Sequence, residues 1–131
     1  MEDIEGIGEG FGKRLRASGI DTTGRLLLDG LTEEGRGEIA TTCEVDPDTV
    51  RHWVTMADLL RLPGIDGQWA ELLWRSGIPN VQTLAEQDAA ALLASMKTVN
   101  AEERRVPTMP TVERVGHWIY EAGRALPLLD A

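Results

Sequence analysis

The chain has 131 residues, of which 13 are Lys or Arg and 22 are Asp or Glu, so its formal charge is −9 at pH 7. Hydrophobic residues make up 42% of it, which is ordinary for a globular protein, and this length allows one domain or two small fused halves. The negative charge weighs against a nucleic-acid-binding protein, because phosphate binding depends on Lys and Arg. Cys43 is the one cysteine of the sequence, which excludes a disulfide framework within the chain.

The amino-terminal sequence predicts neither a secretory signal nor a membrane span. MEDIEGIGEG contains no basic segment followed by an apolar one, and apolar residues nowhere reach the run of about eighteen that a membrane helix needs. We therefore expect a cytoplasmic protein with no membrane partner.

The first predicted element is a glycine-rich turn, Gly6-Ile7-Gly8, followed by a helix that carries Phe11 and Leu15. Apolar residues recur at helical spacing, and no segment shows the alternation of a strand, so the predicted fold class is all-α. Gly19 lies between Ser18 and Ile20, where a residue with positive φ is expected just after a helix end.

The clearest helix start in the first half is Asp46-Pro47, which supplies an N-cap and a first-turn proline for a helix over residues 48–62. An apolar stripe predicts that this helix carries much of the core: Val50, Trp53, Val54, Ala57 and Leu60. Cys43, near the end of the preceding helix, is expected to be a small buried residue.

The opening pattern returns 58 residues later, where Leu62-Pro63-Gly64-Ile65 aligns with Ile4-Glu5-Gly6-Ile7. The register continues, with Trp69 aligned to Phe11 and Gly77 to Gly19. In the second turn, Gly64-Ile65-Asp66, the acidic residue replaces the second glycine. Its carboxylate is expected to cap the helix over residues 67–76.

A second match aligns His52-Trp53-Val54 with His117-Trp118-Ile119 at an offset of 65. The additional residues are expected in an insert near residues 99–110, where Asn100, two prolines and a charged run interrupt the apolar pattern as a loop would. We therefore predict two homologous halves, residues 1–61 and 62–131, and a last helix from Thr111 to about Leu126.

Residues 48–78 contain a helix, a tight turn and a second helix with a small residue near its first turn, which resembles the helix-hairpin-helix motif. The first half fits the same pattern through Gly6-Ile7-Gly8 and Gly12, and the whole chain resembles an uncharacterised family of tandem helix-hairpin-helix domains. The resemblance implies one compact, pseudo-symmetric all-α domain. It also implies a possible phosphate contact, often with a monovalent cation nearby, at one set of residues: Gly6, Ile7, Gly8, Lys13, Arg14 and Arg16.

The charges around the first hairpin weigh against that phosphate contact, because the three nearby cations only partly offset four carboxylates, those of Glu2, Asp3, Glu5 and Glu9. In the second hairpin the carboxylate of Asp66 would occupy the place of a phosphate. Gly64, Ile65 and Asp66 are therefore predicted to be structural.

No residue pattern in the sequence predicts catalysis. The glycines of residues 6–12 lack the spacing of a nucleotide-binding loop, and no serine lies in a nucleophile-elbow pattern. His52 and His117 occupy equivalent positions without a Cys or His three or four residues away, so they are expected to be structural or surface residues. We expect no enzyme, no metal site and no cofactor.

Trp74 is the tryptophan that the repeat does not explain, since its equivalent in the first half is Arg16. An aromatic residue where the sister repeat has a charge is a candidate interface residue, and the alternative is local repacking against the insert. The sequence favours a non-catalytic protein-interaction or assembly module. A DNA- or RNA-binding module that contacts phosphates through Gly6-Ile7-Gly8 is the alternative.

The partner is expected to be another protein or a second copy of the chain. The helix over residues 111–126 has no hairpin after it, and the hairpin at Gly6-Ile7-Gly8 has no helix before it. We expect the two to meet within one chain, because tethered ends have a high effective concentration. Contact between chains would instead give a head-to-tail oligomer.

Overall fold

The computed structural model describes residues 1–129, which form eight α-helices and, over that range, no strand. The all-α prediction is confirmed, and residues 130–131 of the predicted second half lie outside the described range. The helices are α1 (Glu9–Ala17), α2 (Thr23–Asp29), α3 (Glu33–Cys43), α4 (Pro47–Leu60), α5 (Gly67–Arg75), α6 (Val81–Ala85), α7 (Ala89–Glu103) and α8 (Val112–Arg124).

Side-chain caps define where most of these helices begin. Every helix after α1 has an N-cap side chain that accepts a hydrogen bond from a first-turn N–H, namely Thr22, Thr32, Asp46, Asp66, Asn80, Asp88 and Thr111. The predicted caps Asp46 and Asp66 are confirmed, and the last helix begins at Thr111 as predicted. Before α1 the N-cap is Gly8, which has no side chain to accept such a bond.

The helix bounds repeat along the chain. Helices α1 and α5 begin 58 residues apart, and α4 and α8 begin 65 residues apart. The turns before α1 and α5 contain Gly6 at φ 95° and Gly64 at φ 84°. The positive φ predicted for Gly19 and Gly77 is confirmed at 92° and 95°.

Part of the segment expected as a loop is helical. Residues 99–103 form the end of α7, and the loop begins at Arg104. Helix α7 therefore has 15 residues, whereas its counterpart α3 has 11. The polar residues that suggested a loop lie on the exposed side of this last turn, as Glu102 and Glu103 do. Asn100 then closes the loop by accepting hydrogen bonds from the N–H groups of Arg105 and Val106.

Two equivalent tryptophans form the centres of the core. Trp53 on α4 is 1% exposed and Trp118 on α8 is 0% exposed. The Phe11 and Trp53 rings lie 5.4 Å apart, the Trp69 and Trp118 rings lie 5.3 Å apart, and both pairs have an interplanar angle of 53°. Helix α4 packs on α2, α3 and α5, while α8 packs on α6 and α7.

Helix α4 has two buried faces. Trp53 and Val54 face the first three helices: the Trp53 ring meets Phe11 of α1, and Val54 lies against Gly30, just after α2. The opposite face meets α5 and the start of α6: His52 contacts Glu71, and Asp58 accepts a hydrogen bond from the N–H of Val81. Helix α4 thus joins the two parts of the molecule.

Helix α8 does not complete the first hairpin, contrary to our expectation that the two would meet within the chain. The residues after α8 run to α4 and α6 instead, where Arg61 donates to the carbonyl of Leu126 and Asn80 to that of Leu129. The first hairpin already has an indole against it, because Trp53 of α4 lies beside Gly6. This contact corresponds to that of Trp118 with Gly64, so the side of α1 on which we expected the last helix stays open.

Candidate functional site

The first hairpin presents open backbone to solvent. The N–H of Ile7 donates to the carbonyl of Ile4 at 3.0 Å and closes the turn. A Cβ added to Gly8 or Gly10 would meet nothing within 4 Å. The hairpin borders a shallow cleft of about 460 Å³ lined by Gly6, Gly8, Gly10, Phe11, Arg14, Cys43 and Glu44.

The three cations predicted beside this hairpin all lie on α1, and each has a partner within the chain. Lys13 lies 3.4 Å from a carboxylate oxygen of Glu9, and Arg16 lies 2.6 Å from one of Glu2. Arg14 donates to the carbonyl of Cys43 at 2.8 Å. Their positive charge is therefore partly balanced before any ligand arrives.

The Arg16–Glu2 pair affects the ionisation of both residues. The hydrogen bond from Arg16 lowers the pKa of Glu2 from 4.5 to about 2. The same bond raises the pKa of the Arg16 guanidinium. The pair therefore leaves less of the Arg16 charge available to a phosphate.

The second hairpin is closed in the same way but ends on a carboxylate. The N–H of Ile65 donates to the carbonyl of Leu62 at 3.4 Å. Asp66 then accepts a hydrogen bond from the N–H of Trp69 at 2.9 Å, so a first-turn donor of α5 is already satisfied. Gly64 lies against the indole of Trp118, whose buried Nε1 has no hydrogen-bond partner among residues 1–129.

Trp74 is 37% exposed and forms one wall of a concave surface. Its ring meets the edge of the His52 ring, with the centroids 4.3 Å apart, and the guanidinium of Arg75 lies 5.6 Å from its centroid. Trp74 thus packs against α4. The Trp74 pocket has a volume of about 310 Å³ and is lined by Asp48, Arg51, His52, Thr55, Trp74, Pro79 and Leu129.

Beneath Trp74 lies a buried ionic contact that sequence reasoning missed. Glu71 is 1% exposed, with His52 Nε2 2.8 Å from one carboxylate oxygen and Arg75 Nε 3.0 Å from the other. Burial by itself would raise the pKa of Glu71, but the hydrogen bonds from His52 and Arg75 hold it below its ordinary value. The sequence did contain a signal for this burial, because Glu71 lies between Ala70 and Leu72 in the apolar part of α5.

The ionic contacts continue from Glu71 to the first hairpin. Arg75 lies 3.5 Å from Glu103, and Arg105 bridges Glu103 at 2.8 Å and Glu5 at 2.7 Å. These pairs fasten the first hairpin to the loop after α7. They also fix the orientation of Arg75, which covers the Trp74 ring.

The other residues considered for chemistry lie apart from one another. His117 is 57% exposed, and Cys43 is buried at the end of α3. Among residues 1–129, no group of three or more His, Cys, Asp or Glu side chains could hold a metal ion. No helix in this part of the chain is long and apolar enough to cross a membrane.

Comparison with known proteins gives one result, at the level of a family. Neither a curated protein nor a solved structure matches the chain. Residues 5–125, which are most of the chain, match the model of a domain of unknown function, DUF4332. The chain therefore belongs to the DUF4332 family.

Proposed function

We propose that this protein is a non-catalytic protein-interaction module built on a tandem helix-hairpin-helix fold, and that the Trp74 pocket holds an apolar side chain of its partner. The observation that carries the proposal is a half-exposed indole at the wall of a preformed pocket. Large aromatic residues in such positions provide much of the binding energy at protein interfaces.

The tandem fold is supported by what the two hairpins share. Gly6 and Gly64 both have positive φ, and a nine-residue helix follows each turn. Each hairpin glycine lies beside the indole of an equivalent tryptophan, Trp53 or Trp118. A common backbone conformation and a common packing partner are what two copies of one motif would have.

The dimensions of the Trp74 pocket favour an anchoring side chain over a large ligand. Its volume of about 310 Å³ is at the lower end of the range of about 300–1,000 Å³ typical of small-molecule sites. Contacts with His52 and Arg75 hold the indole in place, so binding would cost little side-chain entropy. Arg51 and Asp48, both exposed, supply a polar rim of both signs.

A second candidate function, DNA or RNA binding through Gly6-Ile7-Gly8, is supported by the open backbone of the first hairpin. Backbone N–H groups at a helix start can hold a phosphate. Against it stand the net charge of −9 and the in-chain partners of Lys13, Arg14 and Arg16. Phosphate binding would have to compete with those contacts, so we place this function second.

Selection of peptides from a displayed random library on the native protein tests the Trp74 pocket. We expect the selected peptides to share an apolar anchor, to perturb the indole N–H resonance of Trp74, and to lose binding in Trp74→Ser. Leu28→Ser is the matched control, since Leu28 is 56% exposed on α2. Binding that persists in Trp74→Ser, or no selected peptide at all, contradicts the proposal.

Electrophoretic mobility shifts with single- and double-stranded DNA across a salt series test the second candidate. We expect no appreciable binding at about 0.15 M salt, where a compact acidic protein repels the polyanion. Micromolar binding that weakens steeply with salt and disappears in Lys13→Glu or Arg14→Glu would reverse the order of the two functions.

A further inference from the structure

We propose that copies of this chain associate head to tail, with α8 of one copy packed against α1 of the next, in the arrangement that α4 and α5 have within the chain. This contact uses faces separate from the Trp74 pocket. It rests on the internal repeat and adds a second copy of the chain to the partners proposed above.

The template is the α4–α5 contact. On α4, His52, Thr55 and Asp58 form the face that meets the second half, and Thr55 and Asp58 are 6% and 0% exposed. Opposite them, Glu71 binds His52, and Trp74 packs its ring against the same histidine.

The equivalent face of α8 is uncovered. Adding the offset of 65 to His52, Thr55 and Asp58 gives His117, Tyr120 and Gly123. His117 is 57% exposed, Tyr120 is 61% exposed and Gly123 is exposed. Positions that are covered on α4 thus face solvent on α8, which packs on α6 and α7 through its other side.

The equivalent face of α1 is uncovered as well. Subtracting the offset of 58 from Glu71 and Trp74 gives Lys13 and Arg16. Their side chains are 73% and 45% exposed, whereas Glu71 is 1% exposed beneath α4. Residues 1–129 therefore expose two faces whose counterparts pack together between α4 and α5.

The side chains on the two open faces are complementary. The inner contact places a small residue, Thr55, on α4 and an aromatic residue, Trp74, on α5. On the open faces the aromatic residue, Tyr120, lies on α8 and an arginine, Arg16, lies on α1. Arginine packs well on aromatic rings, and Arg124 already lies 5.6 Å from the Tyr120 centroid in the chain.

The open faces do not repeat the ionic contact of the template, because Lys13 stands in place of Glu71 opposite His117, so the carboxylate must come from a neighbouring position on α8. Glu121 follows His117 by one helical turn, and its ionic contacts among residues 1–129 are long, at 3.9 Å to His117 and 4.0 Å to Arg124. A carboxylate in that position can receive Lys13 of the next copy in exchange for Glu9, its partner at 3.4 Å within the chain. Because the two faces differ, the contact is heterologous and leaves one free face at each end of an assembly.

Sedimentation of the full chain tests this proposal. We expect the mean mass to rise above the monomer value of 14.4 kDa as the concentration increases from about 5 to 500 µM, the range in which micromolar contacts form. Tyr120→Arg should block binding through α8, and the double variant Lys13→Ser with Arg16→Ser should block binding through α1. Each should remain folded and monomeric, with a slightly lower melting temperature in the double variant because it also loses the exposed Arg16–Glu2 and Lys13–Glu9 pairs.

The decisive sample is an equimolar mixture of the two blocked variants. Each retains one intact face, so the mixture should form dimers and nothing larger. Leu28→Arg and Arg25→Ser, which change exposed residues of α2, are the matched controls and should associate like the unaltered chain.

The proposal would be overturned by a monomeric unaltered chain over the whole range, by assembly that survives in either blocked variant, or by a mixture that stays monomeric. Trp74→Ser should assemble normally. If it alone abolishes assembly, the Trp74 pocket forms the contact and the α8–α1 arrangement is wrong. None of these results changes the outcome of the peptide selection, so the two proposals fail separately.

Discussion

At the residue scale, Asp66 and Gly8 show how one side chain distinguishes the two hairpins. Both are N-caps with extended backbone, but only Asp66 accepts a hydrogen bond from the following helix. The acidic residue thus occupies the place at which a phosphate would approach the second hairpin. The effect of this carboxylate on the stability of the fold can be measured by urea denaturation, without any ligand.

Replacing Asp66 with Ala should lower the free energy of unfolding by about 0.5 to 2 kcal/mol, because a first-turn N–H of α5 loses its acceptor. Urea denaturation measures the change. Gly8→Asp is the reciprocal variant, since an added side chain meets nothing within 4 Å there, and it should raise stability by a few tenths of a kcal/mol. An unchanged urea midpoint in Asp66→Ala would show that the Asp66 cap does not stabilise the folded protein.

Glu71 makes stability depend on pH in a defined direction. Its pKa is lower in the folded protein than its ordinary value of 4.5, so the folded state binds fewer protons than the unfolded state. The stabilisation is therefore present above the ordinary pKa and is lost as the pH falls through the folded value.

Replacing Glu71 with Gln should accordingly cost about 1 to 3 kcal/mol at neutral pH, because its charged hydrogen bonds with His52 and Arg75 are weakened. The cost should shrink in acid, as the carboxylate of the unaltered protein becomes protonated. Urea denaturation at several pH values measures both effects, with the exposed Glu38→Gln as the control. A difference that stays constant down to low pH would contradict the assignment.

At the element scale, the start of α5 is held against the amino-terminal turn. A Cβ added to Gly67, the first residue of α5, would clash with the carbonyl oxygen of Asp3. The first hairpin therefore approaches the second half through backbone, and the Arg105–Glu5 ion pair lies at the same junction.

Replacing Gly67 with Ala should lower the free energy of unfolding by about 1 to 3 kcal/mol, since the backbone of Asp3 must move. Gly10→Ala is the matched control in α1. Nothing lies near its added Cβ, and alanine in a helix is more favourable than glycine by about 0.5 to 1 kcal/mol. If both variants are equally stable, the amino-terminal turn does not dock on α5.

At the scale of the whole molecule, α8 supplies the core of the second half. Trp118 and Val115 are both 0% exposed, and α8 packs on α6 and α7. A chain truncated after Pro110 should therefore lose cooperative unfolding and the near-ultraviolet signal of ordered tryptophans. In the full chain, Trp118→Ala should cost about 3 to 5 kcal/mol. A truncated chain that still unfolds cooperatively would show that α8 is an accessory helix.

Much of the fold was predictable because its signals are local. A cap such as Asp66 acts on an N–H three residues away, Gly19 and Gly77 end helices through their own φ, and the stripe around Trp53 follows the helical period. Each of these lies within about one turn of chain. The limit of α7 was missed because an exposed polar helical turn and a loop have similar compositions.

The sequence by itself determined the helices, their caps and the order of the repeat, because these depend on neighbours a few residues apart. Only the tertiary structure decided that Glu71 is buried, that Glu5 meets Arg105 from 100 residues away, and that α8 leaves Tyr120 exposed. Equivalent positions in the two halves carry different side chains and face different neighbours. A repeat therefore predicts where a helix lies, whereas the packing of one helix on another decides which of its faces is covered.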